Sequence, residues 1–233
     1  MTIISHQRWN KFFQCQAKFF TPHMQAVMAD CDAAISTATK ILKDDHTSTV
    51  ALIHVDGKGL IVKRSNTKGK LHVLRRSMCS SRASRNWHYA NLLIKLGLPT
   101  FEPVAYLEER FGPFRARSYL ICTYIEGINA RHFFASDLQY QAGWSEAAKN
   151  IGDLLKKLAE CRISHRDLNL NNIILSDNKP FLIDLDSMCR HRWRFVALRR
   201  AKRERRRFLR NWQHTPQLSH QAISLFESIF KPL

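Results

Sequence analysis

The feature that most limits what this chain can fold into is an octapeptide at residues 165–172, which is followed by two short apolar segments and an aspartate. The octapeptide reads H-R-D-L-N-L-N-N. After it, the apolar residues 173–175 and 180–183 flank the turn-forming residues 176–179, and Asp184 ends the second segment. This composition predicts a β-hairpin. The octapeptide and Asp184 should therefore lie at the same end of that hairpin.

The octapeptide resembles H-R-D-L-x-x-x-N, the catalytic-loop pattern of protein-kinase-like phosphotransferases, at every fixed position. In that pattern Asp167 would accept the proton of the attacking hydroxyl, and Asn172 would bind Mg²⁺ through its amide oxygen. Asp184 ends an apolar strand, where the second metal ligand of these enzymes lies. Hard oxygen ligands of this kind suit Mg²⁺. We therefore expect Asp167 as the catalytic base, Asn172 and Asp184 as metal ligands, and ATP and Mg²⁺ as cofactors.

Two further segments predict contacts to ATP. Residues 60–63 read Leu-Ile-Val-Lys after a predicted hairpin turn at residues 56–59. An apolar strand that ends in lysine is common, but upstream of this octapeptide it favours Lys63 as the lysine that contacts the α- and β-phosphates. The segment Thr-Tyr-Ile-Glu-Gly, which begins at Thr123, is typical of the crossing between two lobes. Backbone groups of Thr123 and Ile125 are expected to bind adenine there.

The order of the remaining patterns predicts an α+β, protein-kinase-like bilobal fold with a small antiparallel-sheet N-lobe and a mostly helical C-lobe. Residues 80–96 show helical spacing and stop at Gly97 and Pro99. Residues 104–124 indicate a second hairpin, and an amphipathic helix runs from Trp144 to just before the octapeptide.

The expected domain organisation has three regions. Residues 1–40 form a partly ordered leader and a helix, residues 41–123 the N-lobe, and residues 124–233 the C-lobe with a basic C-terminal helix region. Aromatic residues mixed with basic ones fill the leader, and the alanine-rich residues 24–42 favour one helix. Residues 43–48 are polar and are expected to form a loop.

The net charge of +18, from 37 Lys and Arg against 19 Asp and Glu, implies an anionic partner. Nucleic acid, an acidic membrane surface and a phosphorylated substrate all fit that charge. Residues 190–210 hold eleven basic residues and one acid. A predicted helical stripe runs through them, made of Trp193, Ala197, Ala201, Phe208 and Trp212. Its basic face is either solvated, or rests on anionic lipid or phosphorylated glycolipid, or binds RNA.

Membrane-spanning and disulfide-rich classes are not favoured. The chain has no run of about 18 apolar residues, and charged side chains interrupt residues 1–20, so we expect a cytoplasmic protein. Its six cysteines show no C-x-x-C spacing, which indicates reduced thiols. His214 and His220 lack partners at metal-binding spacing and are expected to be surface residues.

Several motifs together resemble the bacterial lipopolysaccharide kinase family, which includes core heptose kinases and Kdo (3-deoxy-D-manno-octulosonic acid) kinases. The resemblance covers residues 40–212. It is carried by residues 44–50, 62–64, 96–100 with Trp87, 119–120, 126–127, 165–172 and 181–186. It implies ATP-dependent phosphorylation of a heptose or Kdo hydroxyl in the lipopolysaccharide inner core. It also implies an anionic glycolipid substrate and a peripheral position at the cytoplasmic face of the inner membrane.

Three positions depart from the family pattern. Asn86 stands where relatives carry the glutamate that would pair with Lys63, residues 43–48 contain no glycine, and the metal motif around Asp184 lacks its glycine. No A-P-E-ended activation segment follows, which favours a small or glycan acceptor over a protein. The alternatives are a small-molecule phosphotransferase of the aminoglycoside-kinase kind and a weakly active kinase-like protein that binds nucleic acid.

Overall fold

A computed structural model describes most of the chain, namely residues 2–7, 10–66, 80–111, 114–135, 143–213 and 220–230. The chain divides into two compact units. The first consists of Met1–Leu92 and Phe101–Tyr124, and the second of Leu93–Thr100 and Ile125–Leu233.

The first unit is built on a seven-stranded sheet in which all neighbouring strands are antiparallel. In chain order the strands are β1 (Ile3–Gln7), β2 (Lys11–Gln16), β3 (Lys40–Asp44), β4 (Ser48–Val55), β5 (Lys58–Ser65), β6 (Pro103–Phe111) and β7 (Phe114–Thr123). Across the sheet the order is β1-β2-β6-β7-β5-β4-β3. The sheet is therefore larger than the small one expected. The strands β1 and β2 belong to it, although they precede residue 41, where the N-lobe was expected to begin.

The N-terminal region is folded, so the prediction of a partly ordered leader and one helix over residues 24–42 is wrong. β1 pairs with β2, and β2 pairs with β6. Two short helices follow, α1 (Pro22–Ala29) and α2 (Cys31–Ser36). Asp30 separates them because its carboxylate accepts a hydrogen bond from the N–H of Ala33 at 2.9 Å and caps the second helix.

Side chains from this N-terminal region lie in the core of the first unit. Cys15, Phe19 and Met24 are buried together with sheet residues such as Val62 and Ile121. Removing such side chains from water is the main favourable term in folding. The region is thus an integral part of the first unit.

The predicted hairpin turn between β4 and β5 is confirmed. Asp56 and Gly57 have φ angles of 51° and 74°, and positive φ at both central residues is what a type I′ turn requires. The carboxylate of Asp56 accepts a hydrogen bond from the hydroxyl of Thr21 at 2.6 Å. Since Thr21 caps α1, this contact ties the turn to the start of that helix.

The second unit is mainly helical, with one three-stranded and one two-stranded sheet in the order β11-β10-β8 and β12-β9. Its elements are β8 (Ile128–Asn129), α4 (Ala130–Phe133), α5 (Trp144–Glu160), β9 (Ile163–Ser164), β10 (Ile173–Ser176), β11 (Lys179–Leu182), β12 (Cys189–Arg190), α6 (Arg194–Gln213) and α7 (His220–Phe230).

The helix α3 (Arg82–Lys95) confirms the one predicted at residues 80–96. The amphipathic helix predicted from Trp144 is α5, with Trp144, Ile151 and Leu158 buried on one side.

The basic region forms α6 as predicted, but its apolar stripe differs from the expected one. Ala197 and Phe208 are buried and Ala201 is half-buried, whereas Trp193 precedes the helix and is exposed. The side chains of Trp212 and His220, and all of His214, lie outside the described residues. No helix in the described part of the chain is long and apolar enough to cross a membrane.

Candidate active site

The octapeptide at residues 165–172, from here the catalytic loop, is held at both ends by strand pairs. β9 precedes it and pairs with β12, while β10 follows it and pairs with β11 in the predicted hairpin. At the open end of that hairpin the N–H of Ile183 donates to the carbonyl of Asn172 at 3.0 Å. The structure therefore brings the catalytic loop and Asp184 to the same end of the hairpin, as expected.

Hydrogen bonds inside the catalytic loop orient the side chain of Asn172. Its Nδ2 donates to the carbonyl of Asp167 at 2.8 Å, and the Nδ2 of Asn169 donates to the same carbonyl at 3.1 Å. The Oδ1 of Asn169 accepts from the N–H of Asn171 at 2.9 Å. With the amide nitrogen of Asn172 bound in this way, its amide oxygen is the atom left to bind a cation.

Two residues of the candidate site have left-handed backbone conformations. Arg166 has φ 62° and Asp184 has φ 56°. Such conformations are uncommon for residues other than glycine and cost of order 1–3 kcal/mol each. The surrounding hydrogen bonds must offset that cost. Both backbone polar groups of Arg166 are bound, its N–H to Glu204 and its carbonyl to the guanidinium of Arg207.

Glu204 on α6 is the residue that sequence reasoning missed. One carboxylate oxygen accepts the N–H of Arg166 at 2.6 Å and the other accepts the N–H of His165 at 3.2 Å. Burial raises the pKa of Glu204, while these two N–H donors and the charge of Arg207 lower it. The signal was present in the sequence, because Glu204 is the single acid within eleven basic residues.

His165 joins the catalytic loop to the strand that leads to Asp184. Its imidazole is 1% exposed, and its Nε2 lies 3.3 Å from the carbonyl of Ile183. Because a carbonyl only accepts, the Nε2 carries the proton in this contact. Burial lowers the pKa of His165, so the ring is held neutral. The carbonyl of His165 in turn accepts the hydroxyl of Ser187 and the N–H of Asp167.

Asp167, the residue predicted to be the catalytic base, is differently placed. The side chain of Asp167 is exposed, although its backbone N–H and carbonyl are both bound within the loop. A rigid backbone with an exposed carboxylate suits a group that must meet an external hydroxyl, since geometry comes before pKa in general base catalysis.

The residues predicted to contact ATP are placed as follows. Lys63 is half-buried on β5, opposite Val50 of β4 and Leu120 of β7. Thr123 ends β7, and its N–H donates to the carbonyl of Glu102 at 2.9 Å. An adenine contact from Thr123 would therefore use its carbonyl oxygen.

Ile125 follows β7 in a segment without helix or strand. Asn86 is buried on α3, where its Nδ2 donates to the carbonyl of Arg82 at 3.0 Å. That amide nitrogen is thus bound within its own helix, so a contact from Asn86 to the ammonium of Lys63 would use the amide oxygen.

Comparison with known proteins places the chain in a family. Residues 43–229 match the model of the lipopolysaccharide kinase (Kdo/WaaP) family. The chain belongs to that family. Membership confirms the predicted class of enzyme, a kinase that acts on a sugar of the lipopolysaccharide core.

Individual relatives agree with this assignment to the lipopolysaccharide kinases. The 3-deoxy-D-manno-octulosonic acid kinase of Actinobacillus succinogenes is 28% identical over 206 residues, which cover 84% of this chain and 83% of the relative. The enzyme of the same name from Haemophilus influenzae (strain 86-028NP) is 26% identical over 204 residues, which cover 83% of this chain and 79% of the relative. A solved structure of WaaP in complex with acyl carrier protein aligns with a TM-score of 0.56 and 18% identity, covering 91% of this chain and 87% of that one. This likeness confirms the predicted α+β, protein-kinase-like fold.

The donor set of this lipopolysaccharide kinase fits Mg²⁺. The loop hydrogen bond of the Asn172 side chain uses its amide nitrogen, which leaves the amide oxygen for a cation, and Asp184 provides a carboxylate immediately after the residue bonded to Asn172. Mg²⁺ is usually held in kinases by one or two such oxygen ligands together with phosphates of the substrate.

Proposed function

We propose that this protein transfers the γ-phosphoryl group of ATP to a hydroxyl of Kdo in the lipopolysaccharide inner core. The observation that supports the reaction type is the hydrogen bond from Asn172 to the carbonyl of Asp167, which ties the residue proposed as a metal ligand to the residue proposed as the base. The choice of Kdo is supported by the relatives named as Kdo kinases. A heptose hydroxyl is the second candidate, because core heptose kinases share the sequence pattern.

In this reaction Asp167 takes the proton of the acceptor hydroxyl as its oxygen attacks the γ-phosphorus. The bond from that phosphorus to the bridging oxygen of ATP breaks, and ADP leaves. The carboxylate is exposed and reachable. The loop backbone that carries it is held by Glu204, Arg207 and Ser187. A positioned base of this kind contributes about 10²- to 10⁴-fold to the rate.

Asn172 and Asp184 would hold Mg²⁺, which when bound neutralises charge on the phosphate oxygens. Lys63 would contact the α- and β-phosphates, and the carbonyl of Thr123 and the backbone of Ile125 would bind adenine. These roles follow the kinase pattern of the sequence. The placement of Lys63 on β5 and the bound N–H of Thr123 are compatible with them.

The proposed place of action is the cytoplasmic face of the inner membrane, where the enzyme would be peripheral. Its acceptor is an anionic glycolipid, and the chain carries a net charge of +18. A surface of that charge is attracted to anionic lipid headgroups.

The test is mass spectrometry of lipopolysaccharide from cells with and without the gene, the latter complemented by the wild-type protein or by Asp167→Asn. We expect the core to lose a phosphate without the gene, to regain it with the wild type only, and to carry it on Kdo in fragment spectra. A phosphate located on heptose would favour the second candidate. An unchanged core, together with phosphorylation of an aminoglycoside by the purified protein, would contradict the proposal.

A further inference from the structure

An exposed apolar cluster lies at the start of α6. Trp193, Phe195 and Leu198 are 58%, 62% and 52% exposed, more than any other large apolar side chain in the described part of the chain. The ring centroids of Trp193 and Phe195 are 6.5 Å apart. Single exposed apolar residues are ordinary, but adjacent ones with this exposure mark a surface that meets something apolar. We refer to these three residues as the apolar cluster.

The same face of α6 continues as a line of basic residues. Arg199, Lys202 and Arg206 follow Phe195 and Leu198 at spacings of three and four residues, which places them on one side of a helix. All three are exposed, and we refer to them as the basic strip. The guanidinium of Arg192 also lies over the ring of Trp193, 5.2 Å from its centroid.

The opposite side of α6 is occupied by the protein itself. Ala197 and Phe208 are buried there, and Glu204 accepts the two N–H groups of the catalytic loop. One helix therefore presents its inner side to the catalytic loop and an apolar cluster with a basic strip to solvent. Exposed Trp, Phe and Leu beside Lys and Arg are the residue types of helices that lie in a membrane interface.

We propose that the apolar cluster and the basic strip form one docking surface for an anionic lipid bilayer. The proposal rests on the proposed function, since a lipid-carried acceptor requires the enzyme to work at a membrane. Trp193, Phe195 and Leu198 enter the boundary between headgroups and acyl chains, a depth that tryptophan prefers. Arg199, Lys202 and Arg206 contact the lipid phosphates.

Charge and side-chain type favour lipid over RNA at this surface. RNA-binding surfaces combine cations with rings on which bases stack. Here Leu198, which has no ring, shares the exposed face with Phe195, and hydrocarbon is the medium that suits both. A bilayer on this face also lies about 10–12 Å, one helix diameter, from the catalytic loop on the inner side of α6.

The experiment measures sedimentation of the full chain with vesicles of phosphatidylethanolamine and phosphatidylglycerol, at low and high salt. The first variant, Phe195→Ser with Leu198→Ser, removes apolar surface without changing charge. Its matched control, Ile41→Ser with Leu42→Ser, removes exposed apolar side chains from β3. The second variant changes Arg199, Lys202 and Arg206 to Gln. Its charge-matched control changes Lys95, Lys149 and Lys156, which are also exposed, to Gln.

We expect the first variant to lower the vesicle partition coefficient at least about tenfold at both salt concentrations. The second should lower it strongly at low salt and flatten its salt dependence. Both controls should bind vesicles as the wild type does, and all variants should keep the melting temperature because the changed side chains are exposed. Vesicle binding by the first variant equal to that of the wild type would overturn the proposal. The proposal would also be overturned if the variants bound vesicles normally and lost only the binding of RNA or of an acidic protein.

Kinase assays separate this proposal from the proposed function. With a water-soluble Kdo oligosaccharide as acceptor, both variants should keep the wild-type kcat, whereas with acceptor embedded in vesicles their apparent KM should rise. A wild-type protein that binds vesicles but phosphorylates neither acceptor contradicts the proposed function alone. A wild-type protein that phosphorylates both acceptors without binding vesicles contradicts the docking surface alone.

Discussion

The catalytic loop and the N-terminal strand pair β1–β2 are held in place by different partners. The loop carries an exposed Asp167, and its backbone donates to Glu204 and accepts from the side chains of Asn169 and Asn172. The strand pair is held by pairing of β2 with β6, and it leads into the buried Phe19. The loop also buries Leu168 and Leu170, but the backbone around its candidate catalytic groups is fixed by side-chain hydrogen bonds. The N-terminal region supplies stability.

The largest expected effect is that of Asp167→Asn, which should lower kcat by about 10²- to 10⁴-fold. Asparagine keeps the size of the side chain but cannot accept the proton of the acceptor hydroxyl. The melting temperature should stay near that of the wild type, because the carboxylate is exposed and only backbone atoms of Asp167 hold the loop. Steady-state kinetics and thermal unfolding check both parts. Retained turnover would show that another group serves as the base.

The opposite result is expected for Phe19→Ala in the N-terminal region. Truncation of this buried ring should lower the free energy of unfolding by about 3–5 kcal/mol, while kcat per folded molecule changes little. Urea denaturation at constant temperature measures the free energy of unfolding. Steady-state kinetics, divided by the concentration of folded protein, measures kcat per folded molecule. The control is Ile3→Ala, which removes a side chain that is 44% exposed and should cost far less. If both variants cost the same, the N-terminal region is not part of the core.

Glu204→Gln should lower stability less than Phe19→Ala and lower turnover less than Asp167→Asn, but it is the variant expected to change both. Glutamine retains one acceptor oxygen for the two N–H groups of the loop, so about 1–3 kcal/mol of stability is lost. Because the loop backbone is then less fixed, kcat should also fall by about tenfold. The matched control is Glu160→Gln at the exposed end of α5. A stability loss with unchanged kcat would mean that Glu204 supports the fold but does not position the loop.

The catalytic loop was predictable because the residues that shape it are close in sequence. Asn169 and Asn172 bond to the carbonyl of Asp167 within five residues, and the turn residues Asp177 and Asn178 close the hairpin that places Asp184. Apolar spacing likewise located α3 and α5. Patterns of this kind depend on local geometry, which a single sequence contains.

Long-range contacts were not predictable in the same way. β2 pairs with β6, a strand far along the chain, and the mixed aromatic and basic composition of the N-terminal residues does not specify that partner. Glu204 reaches the loop only once α6 is folded against it. Trp193 was assigned to the helical stripe because helical spacing was extended beyond the first residue of α6.

The place of β2 beside β6 also bears on how this protein can be produced. A shortened form that starts at residue 41, as the expected domain boundary suggests, would lack β1, β2, α1 and α2 and would leave one side of β6 without its partner. An uncovered strand edge recruits other chains and leads to aggregation. Expression clones and purification tags therefore need to leave the segment from Ile3 onward intact.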